Sequence, residues 1–261
     1  MYNMKRTRLF LLILFVVGIS NIYSQEFVTI SGRVTDFDGN PIDSCWIGLN
    51  YSDFSPAYQT YSDKDGYYSL ENVKKGKYKS FYALRPKEYP RRDAVADDDK
   101  RLEFWAWNVI ADRDLTINPR YHRLELYGTN AFKVEGGYNG LFIYTRPMSV
   151  AKLLTYSKEL QLNKAKAEKE VNISVKPEFF RVRVFIDDKE AVINSVQRVQ
   201  EYVGKDNSSM GAYIIQTELP KEKPDKPYLI IRVVGENLEH NEMGENVYFY
   251  EVKDYEENPK N

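Results

Sequence analysis

The chain has 261 residues with a formal net charge of −1, and 14% of its residues are aromatic. This near-neutral charge argues against the strongly basic surfaces that bind nucleic acid or anionic membranes. Because Cys45 is the only cysteine, no intramolecular disulfide can form, and packing must stabilise the fold. The many tyrosine and phenylalanine residues favour β-strands, whose pleated surfaces aromatic side chains cover well.

The first 24 residues have the layout of a signal peptide. Three cations precede an apolar stretch from Leu9 to Ile19, which is shorter than the ~20 residues that a membrane-spanning helix needs. We therefore expect residues 1–24 to be removed on export, with no transmembrane span in the rest of the chain. An uncleaved N-terminal anchor is the alternative.

Residues 25–84 alternate short apolar stretches with the turn clusters DFDGNP, SDKDG and KKGK. This spacing is typical of a small antiparallel β-sandwich. Asp38-Gly39 and Asp65-Gly66 combine a side-chain acceptor with a residue that tolerates positive φ, as tight turns require. The two pairs therefore predict turns that set the register of the flanking strands.

Two segments of this region, SGRVTDFDGNPIDSCWIGL and YSDKDGYYSLENVKKGKY, resemble the carboxypeptidase-regulatory-like family, which is also called transthyretin-like. The family pattern is G-x-V-x-D-x-x-G-x-P-I, then T-D-x-x-G-x-Y-x-L and a loop ending in G-x-Y. The matching residues are Gly32, Val34, Asp36, Gly39, Pro41, Ile42, Asp63, Gly66, Tyr68, Leu70, Val73, Gly76 and Tyr78. The pattern departs from the family at Ser44-Cys45 and at Ser62, where Thr is commoner.

This resemblance covers residues 27–83 and implies a transthyretin-like β-sandwich. It also implies a Gram-negative bacterium that handles glycans, with the protein in the periplasm or on the cell surface. Domains of this family accompany carboxypeptidases without containing their zinc ligands, so the resemblance implies no peptidase activity.

The rest of the chain divides into four predicted segments. Residues 85–101 are charged and contain prolines, which predicts a linker. Residues 102–176 form a predicted middle β domain, which includes a short helix near Val150–Tyr156. Residues 177–254 alternate cleanly and predict an immunoglobulin-like β-sandwich, followed by a disordered tail at 255–261. The predicted fold class is all-β, with tandem β-sandwiches.

Catalytic and metal-binding motifs are missing from the sequence. His122 and His240 fall in different predicted domains with no cysteine nearby, which argues against a zinc site. The sequence contains no G-x-S-x-G, P-loop or H-E-x-x-H motif. We predict neither catalysis nor a metal or other cofactor, although a glycoside hydrolase needs only two facing carboxylates.

The stretch FWAW offers a candidate ligand site, because strand alternation puts Trp105 and Trp107 on one face. Two aligned indoles predict a flat platform on which sugar rings stack, with Glu103 and Asp112 as nearby hydrogen-bonding acids. A pair of tryptophans that faces the core is the alternative.

The sequence therefore predicts an exported, non-catalytic module protein that binds a glycan or an envelope protein. A purely structural or adhesion spacer, whose edge strands pair with another chain, is the first alternative. A carbohydrate-active enzyme is the second. Exposed aromatic faces favour the binding module, and wholly buried ones favour the spacer.

Overall fold

The computed structural model describes residues 26–92, 94–165, 172–204, 209–222 and 224–252. The predicted signal peptide (1–24) and the predicted tail (255–261) lie outside the described residues. Within the described ranges, no helix is long and apolar enough to cross a membrane.

Strands make up most of the regular structure of the described residues. They are β1 (Phe27–Arg33), β2 (Trp46–Asn50), β3 (Pro56–Tyr61), β4 (Tyr67–Lys74), β5 (Gly76–Leu84), β6 (Phe104–Ala111), β7 (Leu115–Thr116), β8 (Leu124–Phe132), β9 (Gly140–Ser149), β10 (Phe180–Ile186), β11 (Lys189–Glu190), β12 (Ile193–Tyr202), β13 (Ser209–Glu218), β14 (Tyr228–Asn237) and β15 (Glu242–Glu251). The α-helix α1 spans Val150–Leu162, and short 3-10 helices lie at Pro86–Glu88, Asp97–Asp99 and Pro177–Phe179.

The strands of the described residues form three sheets. A long sheet has the order β11-β10-β14-β15-β6-β5-β2-β3. A three-stranded sheet has the order β4-β1-β7, and a four-stranded sheet has the order β12-β13-β9-β8. In the long sheet, β15 and β6 pair in parallel, and this pairing joins the N-terminal strands to the C-terminal ones.

Two hydrophobic cores lie on opposite faces of the long sheet. In β14, Tyr228 is buried in the core beneath the three-stranded sheet, whereas the next residue, Leu229, is buried in the core beneath the four-stranded sheet. Successive side chains of a strand point to opposite faces, so the two smaller sheets cover the long sheet from opposite sides. The structure is two β-sandwiches that share one sheet, which confirms the predicted all-β class.

The predicted middle domain, residues 102–176, is not a separate sandwich in this topology. Its strands β6 and β7 pair with strands of the first sandwich, whereas β8 and β9 belong to the four-stranded sheet. The physical reason is burial: Phe104 of β6 lies in the first core and Leu126 of β8 in the second. The predicted linker, residues 85–101, also packs against the fold and buries Glu88.

The turn before β4 shows how local sequence sets a strand boundary. The Asp63 carboxylate accepts the backbone N–H groups of Asp65 and Tyr67, both at 2.9 Å. Gly66 has φ +82°, and a Cβ atom there would lie 2.4 Å from the Val34 carbonyl oxygen. The predicted turn therefore has its glycine where expected, but Asp63 supplies the acceptor instead of Asp65.

Helix α1 begins at Val150, as predicted, but continues beyond Tyr156 to Leu162. The Ser149 hydroxyl accepts the backbone N–H of Lys152 at 3.2 Å and caps the N-terminus.

Replacing Tyr68 with phenylalanine is expected to lower the free energy of unfolding by about 1–2 kcal/mol. The buried Tyr68 hydroxyl donates to the Ile117 carbonyl oxygen at 2.7 Å, and the substitution leaves that buried oxygen without this bond. Chemical denaturation measures the effect. Tyr67→Phe, at an exposed neighbour, is the control, and an equal loss in both variants would contradict the assignment.

Candidate ligand-binding face

Trp105 and Trp107 lie on the face of β6 that points away from the first core. Their neighbours Phe104 and Ala106 are fully buried in that core, and both tryptophans are partly buried. The two indole rings are stacked, with centroids 4.9 Å apart and planes 12° from parallel. The tryptophans therefore share a face, as predicted.

The ring geometry corrects the predicted platform. Because the two indoles lie over one another, they do not form one flat surface on which two sugar rings could stack side by side. Tyr82 continues the row at 5.4 Å from Trp105, and Phe54 at 6.3 Å from Trp107. Trp46 packs edge-on against Tyr82 at 5.1 Å. We call these five residues the aromatic ladder.

Strand β2 makes room for this ladder at Gly48. A Cβ atom on Gly48 would lie 2.4 Å from the nearest atom of the Tyr82 ring. The ring can therefore lie close to the β2 backbone only because residue 48 has no side chain. Beside it, the Asn50 amide donates to the Ser80 hydroxyl at 3.1 Å.

Strand β8 borders the ladder at Trp105. Asn246 of β15 stands opposite Trp105 in the parallel pairing, and its amide nitrogen donates to the Leu126 carbonyl oxygen at 2.8 Å. This bond holds β8 against β15, the strand that pairs with β6, and Glu125 immediately precedes Leu126. Glu103 immediately precedes β6, so two glutamates approach Trp105 from different strands.

Several polar atoms at this junction are buried and have no hydrogen-bond partner among the described residues. They are Glu103 Oε2, Trp105 Nε1, Trp107 Nε1, Glu125 Oε1, Arg146 Nε and Asn246 Oδ1. A buried polar group without a partner costs about 1–3 kcal/mol, so native proteins hold few of them and their concentration in one place is unusual. The junction combines donors and acceptors, as a polyhydroxylated ligand does.

Burial raises the pKa of Glu103, and burial together with the charge of Glu103 raises the pKa of Glu125 well above its usual range. The Trp105 indole lies close enough to both carboxyl groups to oppose these rises. Its N–H nevertheless meets hydrogen-bond geometry with neither of them. Two like groups that share a buried position cannot both ionise easily, so the pair titrates as a unit.

Asp112 does not belong to this site. Its carboxylate accepts the Tyr228 hydroxyl at 2.8 Å and pairs with Arg113 at 3.1 Å. It lies seven residues along the chain from Trp105, which corresponds to ~20 Å at about 3.3 Å per strand residue. The structure therefore places Asp112 away from Trp105, whereas Glu103 lies next to it, and a role for either acid in ligand binding stays a prediction.

Sequence reasoning missed Glu125, Asn246, Tyr82 and Gly48. Each comes from a strand other than β6: strand pairing places Asn246, Tyr82 and Gly48 beside Trp105, and the packing of β8 against β15 brings in Glu125. Glu125 stands between Leu124 and Leu126 and looks like an ordinary solvent-facing acid of an alternating strand. The sequence carries no signal that packing of β8 against β15 would bury it.

A groove of about 850 Å³ lies on the opposite face of the long sheet. Three of its basic side chains pair with acids: Arg120 with Glu245 at 2.6 Å, Lys226 with Asp187 at 2.6 Å and Arg232 with Asp188 at 3.5 Å. The fourth, Arg33, donates to the Asp65 carbonyl oxygen at 2.9 Å. Within the described ranges, no group of three or more His, Cys, Asp or Glu side chains is arranged to hold a metal ion. The aromatic ladder and its junction are the stronger candidate site.

No family model and no curated protein matches the chain, so the resemblance of residues 27–83 stays a prediction. Among solved structures, the major pilin subunit BcpA of Bacillus cereus aligns over 85% of this chain and 69% of its own, with 11% identity and a TM-score of 0.26. The full-length major pilin SpaD of Corynebacterium diphtheriae aligns over 88% and 66%, with 8% identity and a TM-score of 0.23. The serine-rich repeat protein Srr2 of Streptococcus agalactiae aligns over 91% and 96%, with 8% identity and a TM-score of 0.26. Similarities this low carry no argument about function.

Proposed function

We propose that this chain is an exported, non-catalytic binding module whose aromatic ladder binds a glycan. The observation that carries the proposal is the concentration of unpartnered polar atoms beside a partly exposed row of aromatic rings. Export and a place in a Gram-negative cell envelope rest on the predicted leader and on the family resemblance.

The ladder has the chemistry of a sugar-binding surface. Sugar rings present C–H groups to aromatic side chains and hydroxyl groups to polar ones, and aromatic residues provide large apolar contact areas with polar handles. Phe54 is 52% exposed at one end of the ladder, and the Trp105 junction lies further along it. A glycan bound along the ladder meets ring edges and outer ring faces, because the indoles shield each other's inner faces.

A structural or adhesion role is the second candidate, and strand β12 favours it. This strand of ten residues forms one edge of the four-stranded sheet and contains no proline and no lysine, but it carries Arg198 and Glu201 and has a register shift between Ile193 and Ser195. Its outer edge is therefore protected only in part, and an open edge can pair with a strand of another chain. In this case the stacked tryptophans stiffen the sheet instead of binding a ligand.

The Trp105→Ala/Trp107→Ala variant is expected to lose all glycan binding on a printed glycan array, because both central rings of the ladder are removed. Circular dichroism first establishes that the purified variant is folded. Phe54→Asn is the milder companion, since asparagine tolerates the φ of +64° at this position. It removes one exposed ring and should weaken binding.

The matched control is Tyr67→Ala, which removes an exposed tyrosine from β4 in the three-stranded sheet. It should bind like the unmodified protein. The same glycan signal in all four proteins would place the binding site elsewhere. No signal from the unmodified protein on any glycan would favour the structural role.

A further inference from the structure

The junction at Trp105 places two carboxyl groups where the two sandwiches meet. Glu103 immediately precedes β6 of the long sheet, and Glu125 comes from β8 in the four-stranded sheet. Glu125 is 4% exposed, and one oxygen of each carboxyl has no hydrogen-bond partner among the described residues. The pair therefore joins the long sheet and the four-stranded sheet at the proposed binding face.

Asn246 is an independent sign that this junction is incomplete as it stands. The residue is 1% exposed and stands opposite Trp105 in the register. Its amide nitrogen is bonded to the Leu126 carbonyl oxygen, but its Oδ1 atom has no partner within the described part of the chain. Its amide oxygen adds a third unpartnered acceptor to those of Glu103 and Glu125.

Other ionisable groups face the pair from each neighbouring element. From the segment between β5 and β6, Tyr89 and Arg91 lie within electrostatic range of Glu103, and burial with the two glutamates raises the pKa of Tyr89 to about 12. Tyr127 on β8 adds to the same environment.

Arg146 on β9 is the cation that faces Glu125. It already pairs with Glu201 at 2.6 Å and lies over the Tyr127 ring, with its guanidinium carbon 4.7 Å from the ring centroid. Its charge is therefore divided between two acids, and it neutralises the buried pair only in part.

We propose that the Glu103–Glu125 pair makes glycan binding at the aromatic ladder dependent on pH, with high affinity when the pair holds a proton and low affinity when both carboxyls are ionised. This inference rests on the proposed function and concerns how pH changes the glycan affinity of that same site. The two glutamates are positioning residues, because their unpartnered oxygens are buried and act through Trp105 and strand β8.

The direction follows from the pKa shifts of the two carboxyls. In the unfolded chain a glutamate titrates near 4.5, whereas the folded pair keeps its proton to a higher pH. The native arrangement is therefore fully stable below the unfolded pKa and loses stability as the pH rises through the folded pKa. Two adjacent buried carboxylates repel each other, which separates β8 from β6 and disturbs the ladder at Trp105.

Intrinsic tryptophan fluorescence tests the titration without any ligand. The chain has three tryptophans, and Trp46, Trp105 and Trp107 all belong to the aromatic ladder. A pH titration of the purified protein should show a fluorescence step above the usual carboxyl range. The step should disappear in Glu125→Gln, which resembles the protonated acid, and persist in Asp112→Asn, the matched control. If Glu125→Gln does not fold, Glu103→Gln serves at the less buried carboxyl.

The same printed glycan array, incubated at about pH 5 and about pH 8, tests the control of binding. We expect the apparent affinity to fall at least about tenfold at the higher pH. A difference of one pKa unit between the free and the bound protein corresponds to a tenfold change in the binding constant. The fall should vanish in Glu125→Gln and remain in Asp112→Asn.

Each alternative result has a distinct meaning. A fluorescence step that is absent, or unchanged in both glutamine variants, overturns the titrating pair. A step without any change in glycan affinity overturns the pH control and leaves the proposed function standing. No binding to any glycan at either pH overturns the proposed function and the control together, whatever the fluorescence shows.

Discussion

Gly244→Ala is expected to lower the free energy of unfolding by about 3 kcal/mol or more. A Cβ atom on Gly244 would lie 1.9 Å from the Leu124 carbonyl oxygen and 2.7 Å from its carbonyl carbon. Both are backbone atoms, so no side-chain rotation can relieve the overlap. β15 must move away from β8, although the bond from Asn246 to the Leu126 carbonyl holds the two strands together.

Guanidinium denaturation of Gly244→Ala measures this loss. Gly204→Ala is the control, because a Cβ atom there would have no atom of the described residues within 4 Å apart from its chain neighbours. Its free energy of unfolding should change by no more than about 0.5 kcal/mol. If both variants were equally stable, β8 and β15 would not be in the close contact that joins the second sandwich to the long sheet.

Gly48→Ala is expected to weaken glycan binding at least about tenfold, at a cost of about 1–3 kcal/mol in folding stability. The added Cβ atom would lie 2.4–2.7 Å from three atoms of the Tyr82 side chain. The ring must then leave its place, and it contacts both Trp46 and Trp105. One methyl group added to β2 therefore displaces a ring in the middle of the aromatic ladder.

A double-mutant cycle separates this collision from a general effect of alanine in the strand. In Gly48→Ala/Tyr82→Ala the added methyl group has no ring to displace, so the stability losses of the two single variants should not add. Strict additivity would show that the methyl group and the ring do not meet. Tryptophan fluorescence of Gly48→Ala should also shift, since all three tryptophans belong to the ladder.

Local pattern predicted many elements of the first sandwich but not all of them. The stretches VTISGRV, GYYSL and YKSFYAL correspond to β1, β4 and β5, because they combine period-2 alternation with strong turn residues between them. Strand β3, which reads PAYQTY, was not predicted, since it has few buried side chains and begins with proline. The long hairpin of β12 and β13 was missed for a similar reason, because most of β12 faces solvent.

The candidate site was predictable only in part. Alternation along β6 correctly puts Trp105 and Trp107 on one face and Glu103 next to them. The sequence also suggested Asp112 as a ligand-binding acid, but this residue follows the end of β6 and accepts a hydrogen bond from Tyr228. Glu125 reaches the site from β8, and nothing in its local sequence distinguishes it from an exposed acid.

The sequence by itself determined the all-β class, the turns that divide the first strands, and the shared face of the two tryptophans. These depend on φ preferences and on side-chain alternation, which act over a few residues. Only the tertiary structure decided that β15 pairs with β6, that β8 lies across Gly244, and that two glutamates meet at Trp105. Partner choice between strands depends on how whole sheets bury their apolar faces, and that balance cannot be read from any single segment.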